Sequence, residues 1–424
     1  MARFFSLFLT ILTFSSTSFA DEPRVIPNDQ FFSSQWWADN DGRTLMFSEL
    51  LPDQPGKALQ FHLQGKADID IDLPEAWAIE QGSPDCVIAI LDSGFQLDHP
   101  DLYYQYWVNE EEREKNRGDD DHNSLPDDYQ GWNFLRNDAV LSGGLNHGTL
   151  VAGVAAAEMN NGIGIAGVAP GCKIMPLVVA DTSHTLLVDN VLPSMEAMAK
   201  AIRYAVEKKV SVISISVGLP PIDLRKEAIR SYFFGNQPIP PDQDKVLTEE
   251  LFKQELVAKV LLTDAVDLAY KYGIPIVASA GNTKREEKIF PAAFDKVISV
   301  GSVNNAGNPS TFSTKGDWIT VSAPGEFILS TYETGVCGGP LPCCVGGVCH
   351  AHADYAHESG TSFSTPMVAG VVALLRSHNP KLSIEEIRSI LISTGEKLEG
   401  GEKIGPLVKA AAALREAERL RDNK

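Results

Sequence analysis

Between residues 85 and 303 the chain alternates short, almost wholly apolar runs with longer helix-like stretches. The strand-like runs fall at 87–91, 174–179, 210–216, 274–279 and 297–303, and the helix-like stretches at 149–158, 194–208 and 257–272. This alternation predicts βαβ crossovers and a parallel sheet, since parallel neighbours need a crossover and a helix supplies it. The runs are apolar at nearly every position, as strands covered on both faces should be. Further on, 366–377 reads as a helix opening directly after Gly360-Thr361-Ser362, and 407–421 as a charged helix. The acidic stretch 110–128 and the segment 220–244, with five prolines, read as loops or insertions.

Ligands of such sheets sit beyond the carboxyl ends of the strands. Three ends carry small or polar sequence: Asp92-Ser93-Gly94, Ser216-Val217-Gly218 and Ser279-Ala280-Gly281-Asn282. With Ser362 they are predicted to line one cleft. Gly360 permits a sharp turn before Ser362, and Pro366 is tolerated in the first turn of the helix that follows. A serine hydroxyl at a helix N-terminus meets free N–H groups and positive partial charge, which would stabilise an oxyanion formed on attack at a carbonyl. The same placement also suits Ser362 or Ser364 as a simple helix cap. His147 precedes a helix of small residues (Ala152, Gly153, Ala155, Ala156, Ala157) that can press closely on the sheet. Imidazole held there suits proton transfer near neutral pH, although a lone histidine is usually structural. Asp92 ends the first strand, where a buried carboxylate needs a partner such as an imidazolium; a turn-forming Asp before Gly94 is the alternative.

Taken together these segments resemble the subtilisin-like serine protease family, in which the order along the chain is Asp, His, Ser. The resemblance rests on Asp92-Ser-Gly with His99-Pro-Asp101, on His147-Gly-Thr with Val151-Ala-Gly153, and on Gly360-Thr-Ser362 with Pro366-Met-Val-Ala-Gly370. Segments 160–170, 214–218, 279–282 and 322–325 also look like family segments, as do 27–37 and 70–77. What the resemblance implies is a three-layer α/β/α fold on a mostly parallel sheet and a serine endopeptidase acting through an acyl-enzyme. By it Ser362 is the nucleophile, His147 the general base, Asp92 the base-orienting acid and Asn282 the oxyanion-hole donor. Ser216, Val217 and Gly218 would pair with substrate backbone, a reading of main chain more than side chain. No cofactor is needed for such chemistry. Asp101 and Asn161, with carbonyls of the 159–165 loop, would hold a structural calcium. Two rivals keep the same residues in view: a peptide cyclase with the same triad, and a non-catalytic peptide-binding relative, whose expected mark is a lost triad member or a lost Asn282.

Several positions depart from the commonest family pattern: Ser93 for Thr, Leu150 for a second His, Phe363 for Met, and Leu219 for a second Gly, which bears on the primary specificity pocket. Segment 119–128 clusters oxygen ligands as a calcium loop does, but lacks the Gly and terminal Glu of an EF-hand; a solvated acidic loop has the same composition. By resemblance Cys86 and Cys172, at the starts of strands that lie side by side in the family, form one disulfide. Cys337, Cys343, Cys344 and Cys349 crowd a loop at 330–357; two local disulfides are favoured there over zinc, with Cys337 and Cys349 as partners of the adjacent pair in open order.

Compartment and partners follow from the ends and the charge. Arg3, the apolar stretch 4–14 and the small residues at 18–20 read as a signal peptide over 1–20, too short in its apolar run for a membrane anchor. That makes 21–424 the peptidase domain, with 21–75 as its N-terminal segment, and an exported protein, extracellular or periplasmic, with no membrane attachment after cleavage. Between Ala20 and Pro27 there is no room for an inhibitory pro-domain, so folding proceeds without one or the segment up to Asp70 serves both roles. A net charge of −20 argues against nucleic acid or anionic lipid as partner. The expected partner is a protein or peptide substrate, and the expected state a monomer.

Overall fold

The run at 87–91 forms the strand Val87–Asp92, whose alternate side chains enter different cores: Ile88 and Ile90 one, Ala89 and Leu91 the other. That two-sided burial is why the sequence shows no polar alternation. The protein is seen here as a computed structural model that describes residues 23–50, 58–143, 147–181, 188–235, 237–333, 343–345, 348–350, 354–401 and 403–422. The signal peptide read over 1–20 and the pairing of Cys337, Cys343, Cys344 and Cys349 lie outside the described residues and side chains.

In chain order the elements are β1 (Thr44–Leu50), β2 (Ala58–Gln64), α1 (Leu73–Trp77), β3 (Val87–Asp92), β4 (Trp132–Asn133), α2 (His147–Ala156) and β5 (Lys173–Val178). There follow α3 (Val188–Glu207), β6 (Val212–Ile215), α4 (Ile222–Phe234), α5 (Pro241–Lys271), β7 (Ile276–Ser279), β8 (Ile298–Val303) and β9 (Val321–Pro324). The chain closes with β10 (Ile328–Thr331), β11 (Cys343–Val345), β12 (Val348–His350), β13 (Tyr355–Glu358), α6 (Thr361–His378), α7 (Ile384–Thr394) and α8 (Ala410–Asp422). The central sheet has seven strands in the order β4-β5-β3-β6-β7-β8-β9, every pairing parallel. On one face α2, α6 and α8 share a core with Trp37, Ile71, Leu73 and Trp77, so the N-terminal segment packs against the sheet's own helices. On the other face α3 and α5 cover Met175, Leu177, Ile213, Ile215 and Ile276. The fold is thus the three-layer α/β/α arrangement the sequence predicts. Cys86 and Cys172 are disulfide-bonded with Cα atoms 4.8 Å apart, one residue before paired β3 and β5 (Val87↔Lys173).

Two expectations are corrected. Segment 220–244 is largely helical: Pro221 is the N-cap of α4, and Pro240 and Pro241 are the N-cap and first residue of α5. Proline lacks the N–H that a helix start leaves unused and brings a fixed φ, so it marks helix openings as readily as loops. Pro366 lies inside α6, beyond its first turn, because the helix already begins at Thr361. Outside the central sheet, a hairpin of β1 and β2 continues through β12 to β11 in a four-stranded sheet that the apolar pattern did not announce.

Candidate active site

The carboxyl ends of β3, β6 and β7 converge on the head of α6, and each contributes a backbone device that fixes a side chain. Asp92 is fully buried, and its Oδ1 accepts from the Ser93 N–H and from His147 Nδ1–H, both at 2.7 Å. His147 can reach it because Gly148 has no side chain: a Cβ there would stand 2.7 Å from the Phe95 ring and 2.9 Å from the Gly94 carbonyl. Gly153 serves the same close approach one turn and a half on, where a Cβ would meet Thr331 and Ser330, whose hydroxyls donate to the Thr149 and Leu150 carbonyls. With Nδ1 donating to the carboxylate, the imidazole's Nε2 is left to accept a proton. The imidazole ring lies 5.6 Å, centroid to centroid, from the ring of Phe363, the residue after Ser362.

Ser362 stands in the first turn of α6, half-buried, with its Oγ donating to the Ser216 carbonyl at 3.3 Å. The reverse bond also exists: Ser216 Oγ donates to the Ser362 carbonyl at 2.9 Å. Pro366 explains it. An α-helix would satisfy the Ser362 carbonyl with the N–H four residues on, and at 366 there is none. The strand end at Ser216 therefore docks on a carbonyl that the helix itself cannot use. Asn282 is clamped by its oxygen, which accepts from the Thr361 N–H and the Thr361 hydroxyl at 3.0 Å each, so its amide N–H₂ points elsewhere. A Cβ on Gly360 would stand 3.3 Å from Asn282 Nδ2 and 3.7 Å from the Ser362 nitrogen. The Asn282 amide nitrogen and the Ser362 nitrogen thus lie on one side of Gly360, where no side chain intervenes.

The family model described as the subtilase family matches residues 83–407. The chain belongs to the subtilase family. Thermitase of Thermoactinomyces vulgaris is 32% identical over 330 residues, covering 78% of this chain and 88% of its own. The major intracellular serine protease of Bacillus subtilis is 32% identical over 332 residues, covering 76% and 79%. A solved protease from Pseudoalteromonas arctica superposes with a TM-score of 0.61 over 92% of this chain and 99% of its own, at 24% identity, a likeness of fold alone. This subtilase is a serine endopeptidase.

The electrostatics of the subtilase site involve a group that the motifs do not contain. Burial disfavours the His147 imidazolium, but the Asp92 carboxylate outweighs it, helped by Glu358, so the imidazole's pKa rises above its ordinary value. Glu358 closes β13 four residues before Ser362; burial pushes its own carboxyl up, with His147 pulling the other way. Its only signal in the sequence is that spacing. Ser216, Val217 and Gly218 continue past Ile215, the last paired residue of β6, and Ser216 is hydrogen-bonded to Ser362. Leu219 turns away into the core under α3 and α5, 4% exposed, its N–H donating to the Phe290 carbonyl at 2.7 Å.

Asp101 and Asn161, expected to hold calcium, are brought together: Asn161 Nδ2 donates to Asp101 Oδ1 at 2.7 Å, and Ile165 N–H and Tyr355 O–H donate to Oδ2 at 2.9 and 3.3 Å. His99, fully buried, holds the turn by accepting the Asp101 N–H at Nδ1 and donating from Nε2 to the Asp354 carbonyl. Burial pushes the Asp101 carboxyl up to about 7, and nearby Asp29 adds to the effect. Asp29, missed from the sequence, has Oδ1 buried without a hydrogen-bond partner among the described residues, while Oδ2 accepts the Asn160 N–H at 2.7 Å. Two buried carboxylates with an orphaned oxygen fit a hard divalent cation. In the acidic loop, oxygens of Glu112, Asp119 and Asp121 lie within 4.8 Å of one another, and Glu112 Oε2 is buried without a partner among the described residues. Ser124 takes a φ of +71° where an EF-hand places its glycine. Lys208, the residue after α3, donates to Asp121 at 2.7 Å, tying the loop to the end of that helix. Among the described residues no helix is long and apolar enough to cross a membrane.

Proposed function

We propose that the protein is a secreted endopeptidase that cuts peptide bonds through an acyl-enzyme on Ser362. His147 takes the serine proton at Nε2 and returns it to the leaving amine, while Asp92 holds the imidazole in the tautomer that accepts at Nε2. Asn282 Nδ2 and the Ser362 N–H receive the developing oxyanion. The substrate lies extended along Ser216, Val217 and Gly218. The observation that carries this reading is the 2.7 Å bond from His147 Nδ1 to a fully buried Asp92, a geometry with no use in a helix cap or a turn. The intact set of Asp92, His147, Ser362 and Asn282 speaks against a non-catalytic relative.

Residues 21–424 act as one peptidase domain, a reading supported by Trp37, Ile71 and Leu73 sharing the core of the sheet's helices, and the protein works as a monomer on protein or peptide substrates. The reading of 1–20 as a signal peptide and the Cys86–Cys172 disulfide suit an oxidising compartment, extracellular or periplasmic. Calcium would be held by Asp29, Asp101 and Asn161, and a second ion by Glu112, Asp119 and Asp121; both would supply stability and no chemistry. The test is purified protein on a denatured protein substrate beside Ser362→Ala: the wild type cleaves and the variant does not, whereas equal cleavage by both contradicts the assignment. Products heavier by one water distinguish hydrolysis from cyclisation.

A further inference from the structure

The peptidase reading leaves open which side chain may precede the scissile bond, and the cleft beside Ser362 answers in its own geometry. The acyl carbonyl must lie with its carbon at Ser362 Oγ and its oxygen between Asn282 Nδ2 and the Ser362 N–H. The side chain on the neighbouring carbon then enters the gap between the two segments bonded to the head of α6. One is Ser216–Gly218, joined to Ser362 through both Ser216 bonds. The other is Ser279–Asn282, joined to Thr361 through Asn282 and through the Gly281 N–H at 3.1 Å.

Both walls are glycine where they face the gap, and one side chain fills it from below. A Cβ on Gly218 would stand 2.9 Å from Ile289 Cγ2, and a Cβ on Gly281 would stand 3.0 Å from Ile289 Cγ1. Ile289 therefore touches both walls at once, 5% exposed. It cannot swing aside cheaply, because its backbone is pinned. Its carbonyl accepts the Ala293 N–H at 2.8 Å, the next carbonyl accepts the Leu219 N–H at 2.7 Å, and β-branching restricts χ1. The isoleucine side chain thus occupies the space between the two glycines.

We propose that Ile289 is the specificity-determining residue of this site, limiting the residue before the scissile bond to glycine, alanine or serine and excluding large apolar and aromatic side chains. This rests on the peptidase reading above. A long side chain would have to displace a packed isoleucine, and even one methylene too many in an apolar pocket is worth roughly 10–200-fold in kcat/KM.

The experiment measures kcat/KM for matched peptides that differ only in Ala, Leu or Phe before the scissile bond, with wild type, Ile289→Val and Ile289→Ala. The wild type is expected to favour Ala over Phe by about 100-fold or more, and Ile289→Ala to lower that ratio at least about 10-fold, with Ile289→Val between them. Each ratio is taken within one preparation, so partial misfolding of a variant leaves it unchanged. A wild type that cleaves after Phe as readily as after Ala overturns the proposal, as does an unaltered ratio in Ile289→Ala. If wild type and Ser362→Ala both leave every peptide and a denatured protein intact, the peptidase reading falls, and this proposal with it.

Discussion

At the scale of single residues, His147, the proposed base, is tuned by two carboxylates of unequal kind. Asp92 touches the imidazole, whereas Glu358 acts on it through space from the end of β13. General-base catalysis needs neutral His147, so a pKa above the ordinary value moves the acid limb of kcat/KM upward in pH. Removing the negative charge with Glu358→Gln destabilises the imidazolium, lowers that pKa and shifts the acid limb to lower pH; a pH–rate profile on one substrate reads the shift. On the proposed mechanism, Asn282→Ala should lower kcat by about 10²–10³ with little change in KM, because the N–H₂ would serve an oxygen that becomes charged only in the transition state. Ser362, His147, Asp92 and Asn282 could be picked from the sequence because each stands in a small-residue motif at a strand end or helix head. Glu358, Asp29 and Ile289 could not. Their importance lies in which distant segment each one faces, and neighbours such as Lys288 and Phe290 give no hint of it.

At the scale of elements, the site depends on helices that approach strands closely and on two exceptions to regular bonding. Pro366 frees the Ser362 carbonyl, and the Ser216 hydroxyl takes it; Ser216→Ala leaves that carbonyl unpaired and should cost about 1–3 kcal/mol in denaturant unfolding. The Cys86–Cys172 bond closes a sequence separation of 86 residues at the starts of β3 and β5. Replacing both cysteines by alanine should lower stability by about 2–5 kcal/mol, measured in the same way, since so long a loop gains much freedom in the unfolded chain. The parallel strands were legible because both faces are buried and the apolar runs are unbroken. α4 and the first turns of α5 were not: Pro220, Pro221, Pro238, Pro240 and Pro241 suggested a loop, although most of them stand at helix openings. The β1–β2 hairpin escaped notice because its pairing partner, β12, is almost 300 residues away by the register Glu49↔Val348.

For the molecule as a whole, the N-terminal segment closes the structure and brings Asp29 to Asp101. Without a cation, Asp101 titrates near 7 instead of in the ordinary carboxylate range, so its protonated form stabilises the fold at low pH. That stability is lost as pH rises through about 7, where the buried carboxyl must ionise. A bound calcium reverses the sign by favouring the carboxylate. Chelator-treated protein should therefore lose Tm relative to calcium-loaded protein, and the gap should widen from about pH 5 to about pH 8. Asp101→Asn should remove most of that pH dependence. The family's order of Asp, His and Ser was legible across the whole chain, whereas the neighbourhoods of Asp29 with Asp101 and of Ile289 with Gly218 and Gly281 emerge only when residues far apart are packed together.

Covalent labelling tests the nucleophilic role proposed for Ser362 most directly. The protein is treated with a fluorophosphonate that reacts with activated serines, digested, and mapped by tandem mass spectrometry. One adduct per chain, on Ser362 and lost in His147→Ala, is the predicted result. An adduct on Ser364 or another serine, or active protease that carries no adduct at Ser362, would contradict it.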